Sequence, residues 1–196
     1  MGVVIMTEQD GIFKMALDTL KASRNFIFLA LLIYCTAAVV GWMYPENLDF
    51  LKNQFEELVH KFEGLGPLGF MARIFMHNLI ASYLAMCFIV FWGIIPMSLA
   101  AFNGLLLGWF AGWMEALTWT QLLIFLGPHG IFEWPAMFIA FGVGMWRGLG
   151  NFFSPEKLSW IQRWKRANSA YLIFVVPLLF VAAIIEGRYH LLELLS

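Results

Sequence analysis

Long apolar runs separated by short polar ones set the architecture of this chain. Asn25 to Tyr44, Phe70 to Phe91, Ile94 to Met114 and Asn168 to Glu186 each approach the ~20 residues an α-helix needs to cross ~30 Å of hydrocarbon. None shows the ten-residue alternation of a membrane β-barrel. The pattern predicts an all-α, polytopic transmembrane helical bundle. Over residues 7–24, Ile12, Phe13, Ala16, Leu17 and Leu20 recur at helical spacing among charges, which predicts a helix lying on the membrane surface. Over 48–63, Leu48, Leu51, Phe55, Leu58 and Phe62 form one stripe opposite Lys52, Glu56, Glu57, His60 and Lys61. That segment reads as an amphipathic helix outside the bilayer core. "GLGPLG" at 64–69 is a breaker before the second span, and Gly93 and Pro96 mark a tight turn into the third.

The stretch from Leu117 to Trp146 fits no simple crossing. As one helix it is about 45 Å long at ~1.5 Å per residue, too long for one straight span and too short for two. Gly127, Pro128 and Gly130 fall where that mismatch asks for a break, so the pattern predicts a re-entrant half-helix over 117–126 and a spanning helix that starts at Pro128. Residues 147–167 read as a basic, aromatic cytoplasmic segment, with Ser154 and Pro155 starting a surface helix that carries Trp160 and Trp164. Pro177 marks a kink in the last span. The expectation is one membrane domain over 1–196 with about five crossings, one of them broken.

Composition agrees: 61% of residues are hydrophobic and 13% charged, where a soluble domain carries about 25% charged residues. Mean hydropathy is +0.76. No Lys/Arg-rich run resembles a nucleic-acid footprint, so the partner this composition specifies is the lipid bilayer. Cys35 and Cys87 match no metal or redox spacing and are expected to pack as small apolar groups. No small-residue cleavage site follows the first apolar run, which is expected to stay in the chain. With a cytoplasmic N-terminus, Lys14, Lys21, Arg24, Arg147, Lys157, Arg163, Lys165 and Arg166 lie inside, against Lys52, Lys61, Arg73 and Arg188 outside. The positive-inside rule favours that orientation in a cytoplasmic (inner) membrane.

Small residues recur every fourth position in two places. Ala100, Gly104, Gly108 and Gly112 line the third span, and Ala136, Ala140, Gly144 and Gly148 line the following segment. Such stripes let backbones approach closely, and these two are expected to face other helices, each other being the simplest pairing. Polar residues within the spans are few and therefore informative. Asn78 and Ser82 share a face, Asn103 precedes Gly104, His129 and Glu133 lie one helical turn apart, and Glu186 closes the last span. In the orientation above, Asn78, His129, Glu133 and Glu186 fall toward the outer side and Asn103 near the middle. His129, Glu133, Asn78, Asn103 and Glu186 are candidates for holding a ligand or relaying a proton, with His129 and Glu133 at the centre of the reading. Asn78 and Asn103 also suit interhelical hydrogen bonding, while His60 and His77 are expected to be structural.

The order Asn78, then "IIPMSLAAFNG" with Gly108, then "GPHGIFEWPAMFIA", then "AAIIEG" resembles the stage II sporulation protein M family. There an Asn-Gly span, a Pro-His-Gly-x-x-Glu-x-Pro-Ala core and a late Ala-x-x-x-Glu recur. The resemblance covers most of the chain after residue 70 and implies a polytopic membrane protein. In endospore formers the name-giving member is linked to an engulfment complex with peptidoglycan-degrading enzymes, and relatives occur beside ABC transporters and in circular bacteriocin gene clusters.

Three functions fit these features. The first is non-enzymatic: transport or membrane-complex assembly through a polar intramembrane cavity at His129 and Glu133, in a monomer or a homo-oligomer. The second is an intramembrane hydrolase in which His129 and Glu133 bind a metal or activate water. A catalytic zinc takes about three protein ligands, so His77 or Glu186 would have to supply the third. No His-Glu-x-x-His motif, and no Ser or Cys with an evident base, supports this class, and no cofactor is specified. The third is a scaffold for a peptidoglycan-remodelling or export complex, with the 48–63 helix recruiting an extracytoplasmic protein partner.

Overall fold

In a computed structural model, residues 8–48, 50–60, 64–88, 93–113, 118–153 and 157–195 are described. They form helices α1 (Glu8–Met43), α2 (Phe50–His60), α3 (Pro67–Cys87), α4 (Ile94–Trp113), α5 (Trp119–Phe153), α6 (Trp160–Ala170) and α7 (Val176–Leu195). A π-helical turn at Tyr171–Val175 joins α6 to α7. There is no strand among the described residues, and the all-α bundle is as expected. Gly11–Met43, Pro67–Cys87, Ile94–Trp113 and Trp160–Arg188 are long and apolar enough to cross a membrane. α5 runs through the core of the bundle: every residue from Ala140 to Arg147 is buried.

Several expectations are corrected. The surface helix expected over 7–24 is the first part of α1, which runs unbroken to Met43. Of its periodic stripe, Ile12 and Phe13 are exposed, Leu17 and Leu20 are half-buried and Ala16 is fully buried, and Ala16 shares its buried face with Thr19 and Ser23. Thr19 Oγ1 donates within its helix to the Met15 carbonyl at 2.8 Å and reaches the Arg166 carbonyl on α6 at 3.2 Å, which docks this half of α1 on the bundle.

No break occurs at Gly127 to Gly130: α5 continues through Pro128 and Pro135 for 35 residues, about 52 Å at ~1.5 Å per residue. The physical reason is the cost of helix ends. Two prolines forfeit two backbone hydrogen bonds, whereas a break leaves about four N–H groups and four carbonyls unpartnered where water is scarce.

The cap expected at Ser154 and Pro155 lies outside the described residues. The cap observed is Ser159, whose hydroxyl accepts from the Gln162 N–H while the Gln162 side chain accepts from the Ser159 N–H. Near Pro177 the helix contains a π turn at Tyr171–Val175, which widens the coil just before the ring that cannot donate. The expected amphipathic helix appears as Phe50–His60, with Leu51 fully buried and Lys52 Nζ 5.9 Å from the Trp113 ring centre. Lys61 and Phe62 lie outside the described residues.

The two small-residue stripes do pack, but not on each other. A Cβ at Gly104 would overlap the Tyr34 carbonyl oxygen, and one at Gly112 would lie 2.9 Å from that of Trp42. The α4 stripe therefore seats α1, the most extensive helix pair in the molecule, with Ala100 fully buried. On α5, a Cβ at Gly144 would lie 2.9 Å from the Ala85 carbonyl oxygen on α3, so that stripe faces α3, with Ala136 and Ala140 fully buried. At Gly93, φ is 91° and a Cβ would come within 3.2 Å of Met145 Cα, so the turn before α4 needs glycine twice over.

Tyrosine hydroxyls tie α3 to α6 and the π turn. Tyr171 donates to the Leu79 carbonyl at 2.6 Å and lies 3.0 Å from Ser82 Oγ, while Tyr83 donates to Asn168 Oδ1 at 3.1 Å. Ser82 keeps a bond to the Asn78 carbonyl at 2.6 Å whatever Tyr171 does. Tyr171→Phe is accordingly expected to cost about 1–2 kcal/mol, the loss of one buried hydroxyl's bonds, measured as a fall in unfolding temperature in detergent. No change would mean that this contact is not a tie.

Candidate functional site

Three helices build the site. α3, α5 and α7 pack pairwise, and α1 lies against α5. From Val175 at the end of the π turn, a buried face of α7 formed by Leu179, Ala182 and Ala183 leads down to Glu186. Beside it, a Cβ at Gly187 would lie 3.0 Å from Met71 Cβ, so glycine brings this part of α7 close to α3. On α5 the fully buried Ala136 and Ala140 hold the helix tight to its neighbours, and Glu133 and His129 project about one and two turns before Ala136.

The result is a cluster. His129, Glu133 and Glu186 each present a ligand atom, one ring nitrogen and two carboxylate oxygens, and these atoms all lie within 4.8 Å of one another. All three side chains are half-buried. Asn78 on α3 hydrogen-bonds Glu133, its amide N–H donating to the carboxylate. Four of the five sequence-selected positions thus meet, from three helices. Asn103 does not join: its amide donates to Leu99 O within its own helix at 2.8 Å. His77 is exposed, so the third member of the trio is Glu186 and not His77.

The chemistry follows from the charges. Two ionised carboxylates whose oxygens are within 4.8 Å repel by about 3 kcal/mol at an effective dielectric of ~20. A shared proton, a protonated imidazole or a bound cation removes that repulsion. One nitrogen and two carboxylate oxygens also suit a divalent transition metal with a coordination position left open. In that use Asn78 would orient one ligand, as outer-shell partners do.

Sequence reasoning missed two features. Tyr34 on α1 is buried and close enough to Glu133 to feel its charge, with its ring set edge-on to Phe138 at 5.2 Å. Its signal was a hydroxyl inside the apolar run "LLIYC". Arg147 and Arg163, expected within a solvated basic segment, are instead buried, at 3% and 5% exposure. Arg147 donates to the Met86 carbonyl at 2.7 Å and so serves the open C-terminal end of α3. The aromatic residues around them, Trp146 and Trp164, were the available signal.

Comparison with curated proteins and with solved structures gave no match. The family model described as Stage II sporulation protein M matches residues 30–189, a range that holds every member of the cluster, and the chain belongs to that family.

Proposed function

We propose that this protein is a transport or membrane-complex assembly component of the stage II sporulation protein M family, working through a cation- or proton-binding site at His129, Glu133 and Glu186. The observation that carries the reading is the convergence of an imidazole and two carboxylates, drawn from α5 and α7, within 4.8 Å inside an apolar bundle. Ionisable groups in such surroundings are costly to keep and mark ion or proton pathways in membrane proteins. Asn78 on α3 and Tyr34 on α1 both lie close enough to Glu133 to interact with it.

The test is flux. Reconstituted into liposomes with an internal pH- or metal-sensitive dye, the wild type is expected to pass protons or divalent cations under an imposed gradient at least tenfold faster than Glu133→Gln. Wild-type rates equal to those of empty liposomes would remove the transport reading.

One observation favours a second reading, an intramembrane metal-dependent hydrolase: Glu186 supplies the third ligand that His129 and Glu133 lack on their own. Metal analysis of the same preparations separates the two. A stoichiometric transition metal that is lost in Glu186→Gln supports the hydrolase, and its absence from the wild type takes away the main argument for it.

A further inference from the structure

A second charged site lies well away from the first. From Glu133 to Arg147 the α5 helix advances 14 residues, about 21 Å at ~1.5 Å per residue. There two arginines are buried where α6 packs on α5. Arg163 Nη1 donates to the Arg147 carbonyl at 2.6 Å and to the Trp146 carbonyl at 3.3 Å. Arg147 lies over the Trp164 ring at 4.5 Å, and Arg163 over the Trp146 ring at 5.6 Å.

Their charges are not balanced. Among the described residues neither arginine pairs with a carboxylate. Arg147 Nε, Arg147 Nη2 and Arg163 Nε are buried and have no hydrogen-bond partner. Carbonyl oxygens and indole faces attract a cation but do not neutralise it, and two buried like charges raise the cost of burial further.

The surroundings say where the missing acceptor comes from. Phe152, Phe153, Trp160 and Ile161 are all exposed at this end of the bundle, the apolar and aromatic profile of a membrane-interface belt. Lys157, Lys165, Lys21 and Arg24 are exposed too, and the Thr19 bond to Arg166 places this stretch of α1 beside α6. A basic rim around an interfacial tryptophan pair gathers anionic lipid. We propose that Arg147 and Arg163 form a binding site for the phosphate of an anionic phospholipid headgroup in the adjacent leaflet. The guanidinium fork suits phosphate oxygens, and Trp160 stacked on Trp164 at 5.9 Å walls the site.

The test uses the full-length protein in a neutral detergent, with unfolding temperature as the readout and three probes: phosphatidylglycerol, diacylglycerol with the same acyl chains, and inorganic phosphate. Phosphatidylglycerol is expected to stabilise the wild type saturably, and the other two are not. Arg163→Gln should need at least tenfold more phosphatidylglycerol for half its effect. This variant is chosen because the carbonyls Arg163 serves lie within α5, whereas Arg147 completes the end of α3. Arg163→Lys should lose as much, since one ammonium does not replace the fork. Equal stabilisation by diacylglycerol would overturn the proposal, as would inorganic phosphate acting alone, or an unchanged half-effect in both variants. Should neither variant fold, the three wild-type titrations still decide.

Discussion

Gly108→Ala is expected to stop the protein from reaching its folded state in useful yield. A Cβ at Gly108 falls within 2.6 Å of the Ala38 carbonyl carbon and nearer still to its oxygen, and these are backbone atoms. No rotamer change relieves that overlap. Relief requires α1 to move away along its contact with α4, and Gly104, one turn before, meets the Tyr34 backbone in the same way. Overpacking in a well-filled interior costs about 1–3 kcal/mol and occasionally more. A backbone clash at the centre of the largest interface belongs at or beyond the top of that range. Gly127→Ala is the control: nothing lies within 4 Å of its Cβ, and alanine is favoured over glycine in a helix by about 0.5–1 kcal/mol. Monodisperse yield and unfolding temperature in detergent should therefore fall sharply for the first and hold or rise for the second. Equal behaviour would mean that α1 and α4 do not meet at this stripe.

The same contact links packing to chemistry. Tyr34, whose carbonyl sits over Gly104, is an α1 residue close enough to Glu133 to feel its charge. The glycine spacing on α4 thus sets how far α1 enters the bundle and, through it, what lines the polar cluster. Spacing of this kind is legible in a sequence because it is local to one helix. Which helix answers the stripe is not: Ala38 and Trp42 carry no pattern that announces α4 as their neighbour. For that reason the α4 and α5 stripes could be recognised as interfaces while their pairing could not.

The break expected in α5 failed for a related reason. Pro128 and the flanking glycines are the local signals of a helix end, but in an apolar setting the unpartnered backbone of a real break outweighs two missing N–H groups. The polar residues fared better. Asn78, His129, Glu133 and Glu186 were legible because a charged or amide side chain within an apolar run is rare enough to stand out. Asn103 stood out equally, yet its amide turns back on Leu99. Arg147 and Arg163 escaped notice because arginine beside tryptophan at the end of a span is the ordinary composition of a membrane interface. Their burial comes from the tertiary placement of α6 against α5, which no local window contains.

Glu186→Gln is expected to separate stability from function. In the wild type the Glu186 and Glu133 oxygens share a small volume with the His129 ring, and without a proton or cation between them they oppose folding. An amide of the same shape keeps the hydrogen-bonding capacity and removes one of the two charges. Removing one of two like charges takes away their mutual repulsion, about 3 kcal/mol at an effective dielectric of ~20. In cation-free detergent the variant should therefore unfold at a higher temperature than the wild type. It should also lose at least tenfold in proton or cation flux, as Glu133→Gln does. The double variant should lose little more flux than either single one, because both remove the same site. Adding the divalent cation that the wild type binds should reverse the order of stability, since only the intact pair gains from it. A Glu186→Gln protein that is less stable than the wild type under every condition and keeps its flux would make the cluster interhelical glue, with Asn78 and Glu133 as its core and no ion as its purpose.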